Sequence, residues 1–187
     1  MNTVLRPLTL SEGRLLRDDV RGFTSVTGLA VAEGYLDFPG ALDRLVAALE
    51  SGMPPRWWSH QVIDPGIATL VGLGGYKGEP RNGTVEIGYS VAPDHRGLGH
   101  ATRAVASLLR GAADAGVHHA LAHTRAEPNP STRVLERSGF DRTATLPDAQ
   151  LGQIWRWHRH LGADFRSGTD QRPASRSDSP SDRRGGI

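Results

Sequence analysis

The 187-residue chain contains no cysteine, which excludes a disulfide framework, a thiolate metal site and a cysteine nucleophile. Lysine occurs once, at Lys77, against 21 arginines. A phosphate loop of the Gly-Lys-Ser/Thr kind therefore has no lysine in the required setting. No window approaches the ~18 consecutive apolar residues that a membrane span needs. The opening MNTVLRPLTL has neither the apolar stretch nor the small-residue cleavage site of a signal peptide. A cytoplasmic protein with no membrane association is the expectation.

Charge of either sign is also scarce where it would matter. The net charge is +2. The segment from Arg166 onward holds five Arg and three Asp, leaving a body with 17 charges of each sign. A neutral body argues against a broad nucleic-acid surface, which needs a clustered basic face. The closing segment RSGTDQRPASRSDSPSDRRGGI has almost nothing to bury, so residues 165–187 are expected to form a disordered Arg/Ser/Pro-rich tail. Residues 1–164 are expected to form one domain, acting as a monomer or homodimer.

What is present is a run of alternating and helical patterns. Val4–Leu8 reads as a first strand. Residues 10–52 read as mostly helical, with loops near Gly22–Gly28 and Asp37–Gly40. WWSHQVI (57–63) and ATLVGLGGY (68–76) read as a hairpin or meander around Asp64-Pro65-Gly66. In TVEIGYSV (84–91), Val85, Ile87, Tyr89 and Val91 share one face, and Glu86, Gly88 and Ser90 the other. Ala101, Ala104, Val105, Leu108, Leu109 and Ala112 then form a helical stripe ended by Gly116. HHALAHT (118–124) is a strand, and NPSTRVLERSGF (129–140) a short helix with Asn129 as N-cap and Pro130 at its first position. DRTATL and QIWRWHRHL close as an antiparallel pair.

The most informative stretch is PDHRGLGHATRA (93–104), where a strand pattern gives way to a helical one. Glycines allow backbone to approach a ligand, and the first amides of a helix lack partners and carry partial positive charge. Together they make an anion site. Glycines alone also fit a bare turn with no ligand. A dinucleotide G-x-G-x-x-G starting at Gly97 fails at Thr102, and no acidic residue follows at ribose distance.

VEIGYSVAPDHRGLGHA followed by AHTRAEPNPSTRVLERSGF resembles the GNAT superfamily of N-acetyltransferases, within it the branch containing ribosomal-protein N-terminal acetyltransferases. The family's signature falls on Arg96, Gly99 and Ala101. The resemblance implies an α+β (α/β/α) fold: a mixed, mostly antiparallel twisted sheet of about six or seven strands, splayed after the fourth and flanked by helices. It implies acetyl-CoA as cosubstrate and a primary amine, on a small molecule or a protein or peptide N-terminus, as acceptor. The pantetheine arm would enter between TVEIGYSV and HHALAHT, using backbone near Val91 and Ala92. The pyrophosphate would lie on the amides of Arg96, Gly97, Leu98, Gly99, His100 and Ala101, with Arg96 adding charge. Asn129 stands where the family reaches the cofactor; its N-cap role fits the residue equally well.

Acetyl transfer needs a base, an oxyanion donor and a proton for the leaving thiolate. Glu86 is the base candidate and a backbone N–H near Ala92 the oxyanion donor. Many relatives carry a tyrosine acid at the position occupied here by Leu135, so Ser131 is taken as its substitute. His119 and His123 share a strand face, but no cysteine or second ligand pair accompanies them, and no metal is expected. Trp57, Trp58, Trp155 and Trp157 fall on expected strands and are read as core or groove wall. An α-amine of pKa about 8 is roughly 10% neutral at pH 7, far more than a lysine amine, which favours a peptide N-terminus or weakly basic amine. A non-catalytic acyl-CoA-binding module is the alternative, and a nucleic-acid-associated protein recruited through the tail is a third class.

Overall fold

The structure is a computed structural model that describes residues 2–36 and 40–162. The expected tail, and all but Gly40 of the expected Asp37–Gly40 loop, lie outside the described residues. The first half comprises β1 (Val4–Pro7), α1 (Leu10–Asp18), α2 (Val20–Thr27), β2 (Ala30–Val31), α3 (Ala41–Glu50), β3 (Ser59–Asp64) and β4 (Thr69–Tyr76). The second comprises β5 (Thr84–Val91), α4 (His100–Asp114), β6 (His119–Arg125), α5 (Pro130–Arg137), β7 (Asp141–Asp148) and β8 (Gly152–His160).

The sheet order is β1-β3-β4-β5-β6-β8-β7, with β2 pairing β4 off that path. Only β5–β6 and β2–β4 are parallel. The mixed, mostly antiparallel sheet is therefore as expected. Its eighth strand is β2, two residues long and too short to leave an alternating pattern. β5 and β6 pair only over Thr84–Glu86 and His119–Leu121. Beyond that point the strands part, so the sheet opens after β5, the fourth strand when β2 is set aside.

Each face of the sheet has its own core. On one, Val85 and Ile87 of β5 pack with Val105, Leu108 and Leu109 of α4, Leu135 of α5, Phe140 and Trp157. Burying each large aliphatic side chain contributes about 1.5–3 kcal/mol, so the apolar stripe of α4 fixes that helix against β5. On the other, Leu16, Phe23, Leu45 and Val46 from the first three helices cover Ile63, Leu70 and Leu73. The glycine turn at 96–99 joins the end of β5 to the start of α4 and is held by both.

Two local expectations are corrected. The supposed loop at Gly22–Gly28 is mostly helix, because Asp19 caps α2 by accepting from the Gly22 amide at 2.9 Å. Only Gly28, at φ 71°, ends it. Trp57 and Trp58 precede β3: Pro55–Trp57 forms a 3₁₀ turn that sets the Trp57 ring edge-on to Tyr76, centroids 5.0 Å apart. Trp155 and Trp157 lie on β8 as expected.

Candidate active site

Gly97 and Gly99 have φ of 77° and 81°, a conformation that side chains rarely tolerate. Among the described residues their amides donate to no carbonyl or side chain. The first amides of α4, from His100 on, lack intrahelical partners by position. The Arg96 amide, in contrast, donates to Pro93 O at 3.1 Å within a short 3₁₀ turn. That removes Arg96 N–H from the expected set and leaves the two glycines and the first turn of α4. These free amides at a positive helix end fit an anion.

The side chains around the turn are only partly those expected. Arg96 folds back, its Nε donating to Val91 O at 2.9 Å. Arg103, one helical turn along α4, was missed: its guanidinium donates to Leu98 O at 2.7 Å and to Thr3 Oγ1 at 2.8 Å. A Cβ on Gly99 would stand 2.6 Å from Arg103 Nη1, so this cation lies across the turn itself. The spacing of four from Gly99 was the available signal. The His100 ring points inward, 1% exposed. Its Nδ1 is 2.9 Å from Thr3 Oγ1. Its Nε2 is 3.4 Å from Asp64 Oδ2, an ion-pair distance without hydrogen-bond alignment. Burial pushes the imidazole pKa down, against the pull of Asp64. The His100 side chain is thus an anchor, while its amide remains at the turn.

Along β5 the backbone decides which groups face the opening. Glu86 O accepts from Lys77 N at 2.9 Å, and Ala92 N donates to Val71 O at 2.8 Å. Both point to β4. Strand alternation turns the backbone groups of Ile87, Tyr89 and Val91 the other way, towards β6; Ile87 N–H closes the last rung at Glu86–Leu121, and Tyr89 and Val91 face the opening. Val91 N–H thus faces the opening, while Arg96 occupies its carbonyl. The proposed oxyanion donor at Ala92 is corrected: its N–H is committed to the sheet.

Glu86 stands at the last paired position before β5 and β6 part. Its carboxylate pairs with Lys77, the chain's one lysine, through a short Nζ–Oε1 contact, and with His123 Nδ1 at 2.9 Å. Burial pushes the carboxyl pKa up, but the hydrogen bonds and charges of Lys77 and His123 outweigh it and hold the group below the usual range. Glu86 is ionised, with Oε1 shared by Lys77 and His123. His123 lies on β6 just beyond the pairing, on the Glu86 face, a contact that strand register alone does not reveal.

At the far wall, Asn129 caps α5 through Oδ1, which accepts from Ser131 N at 2.9 Å and Thr132 N at 3.1 Å. Its Nδ2 donates to Glu127 O. These are the contacts of a helix cap. The Ser131 hydroxyl takes no part in the cap; Thr132 Oγ1 supplies the reciprocal bond to Asn129 N. Leu135 is fully buried in the core. A tyrosine nevertheless reaches this wall from another element: Tyr89 OH donates to Ser131 O at 3.0 Å. Burial drives its pKa up, against the lowering effect of that hydrogen bond, so the phenol keeps its proton.

The profile of the acetyltransferase (GNAT) domain matches residues 5–141. The chain belongs to this family. Among solved structures, the GNAT domain is similar to a Vibrio cholerae spermidine N-acetyltransferase chimera with hSSAT, at 16% identity and a TM-score of 0.65 over 88% of this chain and 98% of that one. It is also similar to a phosphinothricin acetyltransferase from Sinorhizobium meliloti in complex with AcCoA, at 18% identity and a TM-score of 0.61, covering 93% and 94%. These likenesses establish the GNAT fold. A curated protein named type III pantothenate kinase, from Alkalilimnicola ehrlichii, is 28% identical over 150 residues. The match covers 71% of this chain and 60% of that protein. No helix among the described residues is long and apolar enough to cross a membrane.

Proposed function

We propose that the chain is an acetyl-CoA-dependent N-acetyltransferase that acylates a primary amine by direct attack with both substrates bound. The observation that carries this reading is the opening between β5 and β6. At one end stand the free amides of Gly97 and Gly99; at the other, a carboxylate–imidazole pair. When bound, acetyl-CoA supplies an activated thioester. The chain's residues bind, orient and handle protons. The turn and the first amides of α4 take the pyrophosphate, with charge from Arg96 and Arg103. The outward backbone of Tyr89 and Val91 offers hydrogen bonds to the amide-bearing arm.

Glu86 marks the acceptor end, where the amine must lose a proton. On the leaving-group side, the hydroxyls of Ser131 and Tyr89 are candidate donors to the sulfur. The resemblance to the ribosomal-protein branch, with the larger neutral fraction of an α-amine, supports a peptide N-terminus or weakly basic amine. The kinase name of the partial relative belongs to a protein of which this match spans 60%. The lone lysine here is paired with Glu86 rather than free for a phosphate. The test is acetyl-CoA-dependent thiol release across short peptides and small amines. Binding of acetyl-CoA with no turnover on any acceptor would instead support the acyl-CoA-binding module.

A further inference from the structure

The position of Glu86 asks for a base, yet its partners make it a weak one. A proton acceptor works best when its pKa lies near the operating pH. A carboxylate held by an ammonium and an imidazole N–H has moved away from that range. Imidazole is the side chain whose ordinary titration spans neutrality, and one touches Glu86.

His123 Nδ1 lies 2.9 Å from Glu86 Oε1. An ionised carboxylate only accepts hydrogen bonds, so Nδ1 is a protonated nitrogen, and in the neutral ring Nε2 carries the lone pair. Among the described residues Nε2 has no partner, and the side chain is 21% exposed. The ring sits where β6 has left β5. Lys77 and Glu86 approach it from β5 and the end of β4, Arg156 stands opposite on β8, and the Asp148 carboxylate of β7 is within electrostatic reach.

We propose that His123 is the proton acceptor of the transfer reaction and that Glu86 is its positioning residue. This rests on the acetyltransferase reading above. The amine nitrogen bonds to the acetyl carbon as the carbon–sulfur bond breaks, and the amine proton passes to His123 Nε2. The sulfur leaves as thiolate and takes a proton from the hydroxyl of Ser131 or Tyr89, which solvent then restores. His123 then returns its own to solvent. Glu86 holds the tautomer and stabilises the imidazolium, the role a buried carboxylate plays beside other catalytic histidines.

The experiment is kcat/KM against pH for wild type, His123→Ala, His123→Gln and Glu86→Gln with one accepted amine, with acetyl-CoA affinity measured in parallel. The His123 variants should lose about 10²–10⁴-fold in kcat while keeping acetyl-CoA affinity. They should lack the acidic limb of the profile, and added imidazole should restore turnover to His123→Ala. Glu86→Gln should be slower but keep that limb. A His123→Gln enzyme with wild-type kcat and profile overturns the assignment, as does loss of the limb in Glu86→Gln alone. Both leave the acetyltransferase reading intact. A wild-type protein that acetylates no amine overturns that reading, and this assignment with it.

Discussion

Replacing Gly72 by alanine, and Gly74 by alanine beside it, separates two glycines that look alike in LVGLGGY. A Cβ on Gly72 would fall 2.1 Å from Ser90 O and 3.1 Å from Val91 Cα, both backbone atoms. They cannot turn aside as a side chain would, so β4 and β5 must separate locally. Forcing a methyl into a well-packed site costs about 1–3 kcal/mol. For a protein of this size that is a fall in Tm of roughly 2–12 °C. The strain falls where it matters for function, because Gly72 pairs with Val91 and Val71 O holds Ala92 N, the last anchors before the turn. Acetyl-CoA affinity should fall with Tm. A Cβ on Gly74 meets nothing nearer than Tyr89 Cβ at 3.5 Å, an ordinary contact. Gly74→Ala should leave Tm unchanged or raise it slightly, by up to about 1 kcal/mol of stability from reduced freedom of the unfolded chain. Thermal melts of the two variants with and without acetyl-CoA decide the matter. Equal melting temperatures would refute the argument from close strand approach.

Arg103→Ala should weaken acetyl-CoA binding about tenfold, the lower end for a hydrogen bond to a charged group, while Arg103→Lys should recover part of it. Titration calorimetry reads this directly, and unchanged affinity would remove Arg103 from the turn's function. Burial depresses the pKa of both His60 and His100, so the folded state binds their protons less readily than the unfolded chain. Their contribution to stability is complete above the unfolded value of about 6.5 and is lost as pH falls through it towards the folded values. Tm should therefore drop between pH 7.5 and pH 5; a flat or rising trend would contradict the sign. Leu135→Ala should cost about 2–5 kcal/mol by leaving a cavity in the α4–α5 core, checked by urea unfolding.

The parts of the fold legible in the sequence were those written in one element's own pattern. TVEIGYSV alternates cleanly and forms β5 with the expected bounds. Asn129, Pro130 and Gly139 punctuate α5 as their chemistry requires. The turn at 96–99 announced itself through glycines beside a helix start. What stayed hidden depends on two elements meeting. His123 touches Glu86 only because β5 and β6 run parallel for three residues and then part. Tyr89 reaches Ser131 across the sheet–helix interface, a contact no single element's pattern contains. Ala92 was misread because hydrogen-bond direction along a strand follows its partner's register, which one strand cannot specify. Gly22 was misread because a single Asp19 carboxylate outweighs glycine's poor helix propensity at a first turn.

The most direct test of the central claim is amide hydrogen exchange followed peptide by peptide with and without acetyl-CoA. If the opening between β5 and β6 is the cosubstrate site, exchange should slow at residues 97–101 and at the outward amides of Tyr89 and Val91. Segments remote from the opening, such as α2, should be unaffected. Protection confined to other elements, or none at saturating acetyl-CoA, would contradict the account.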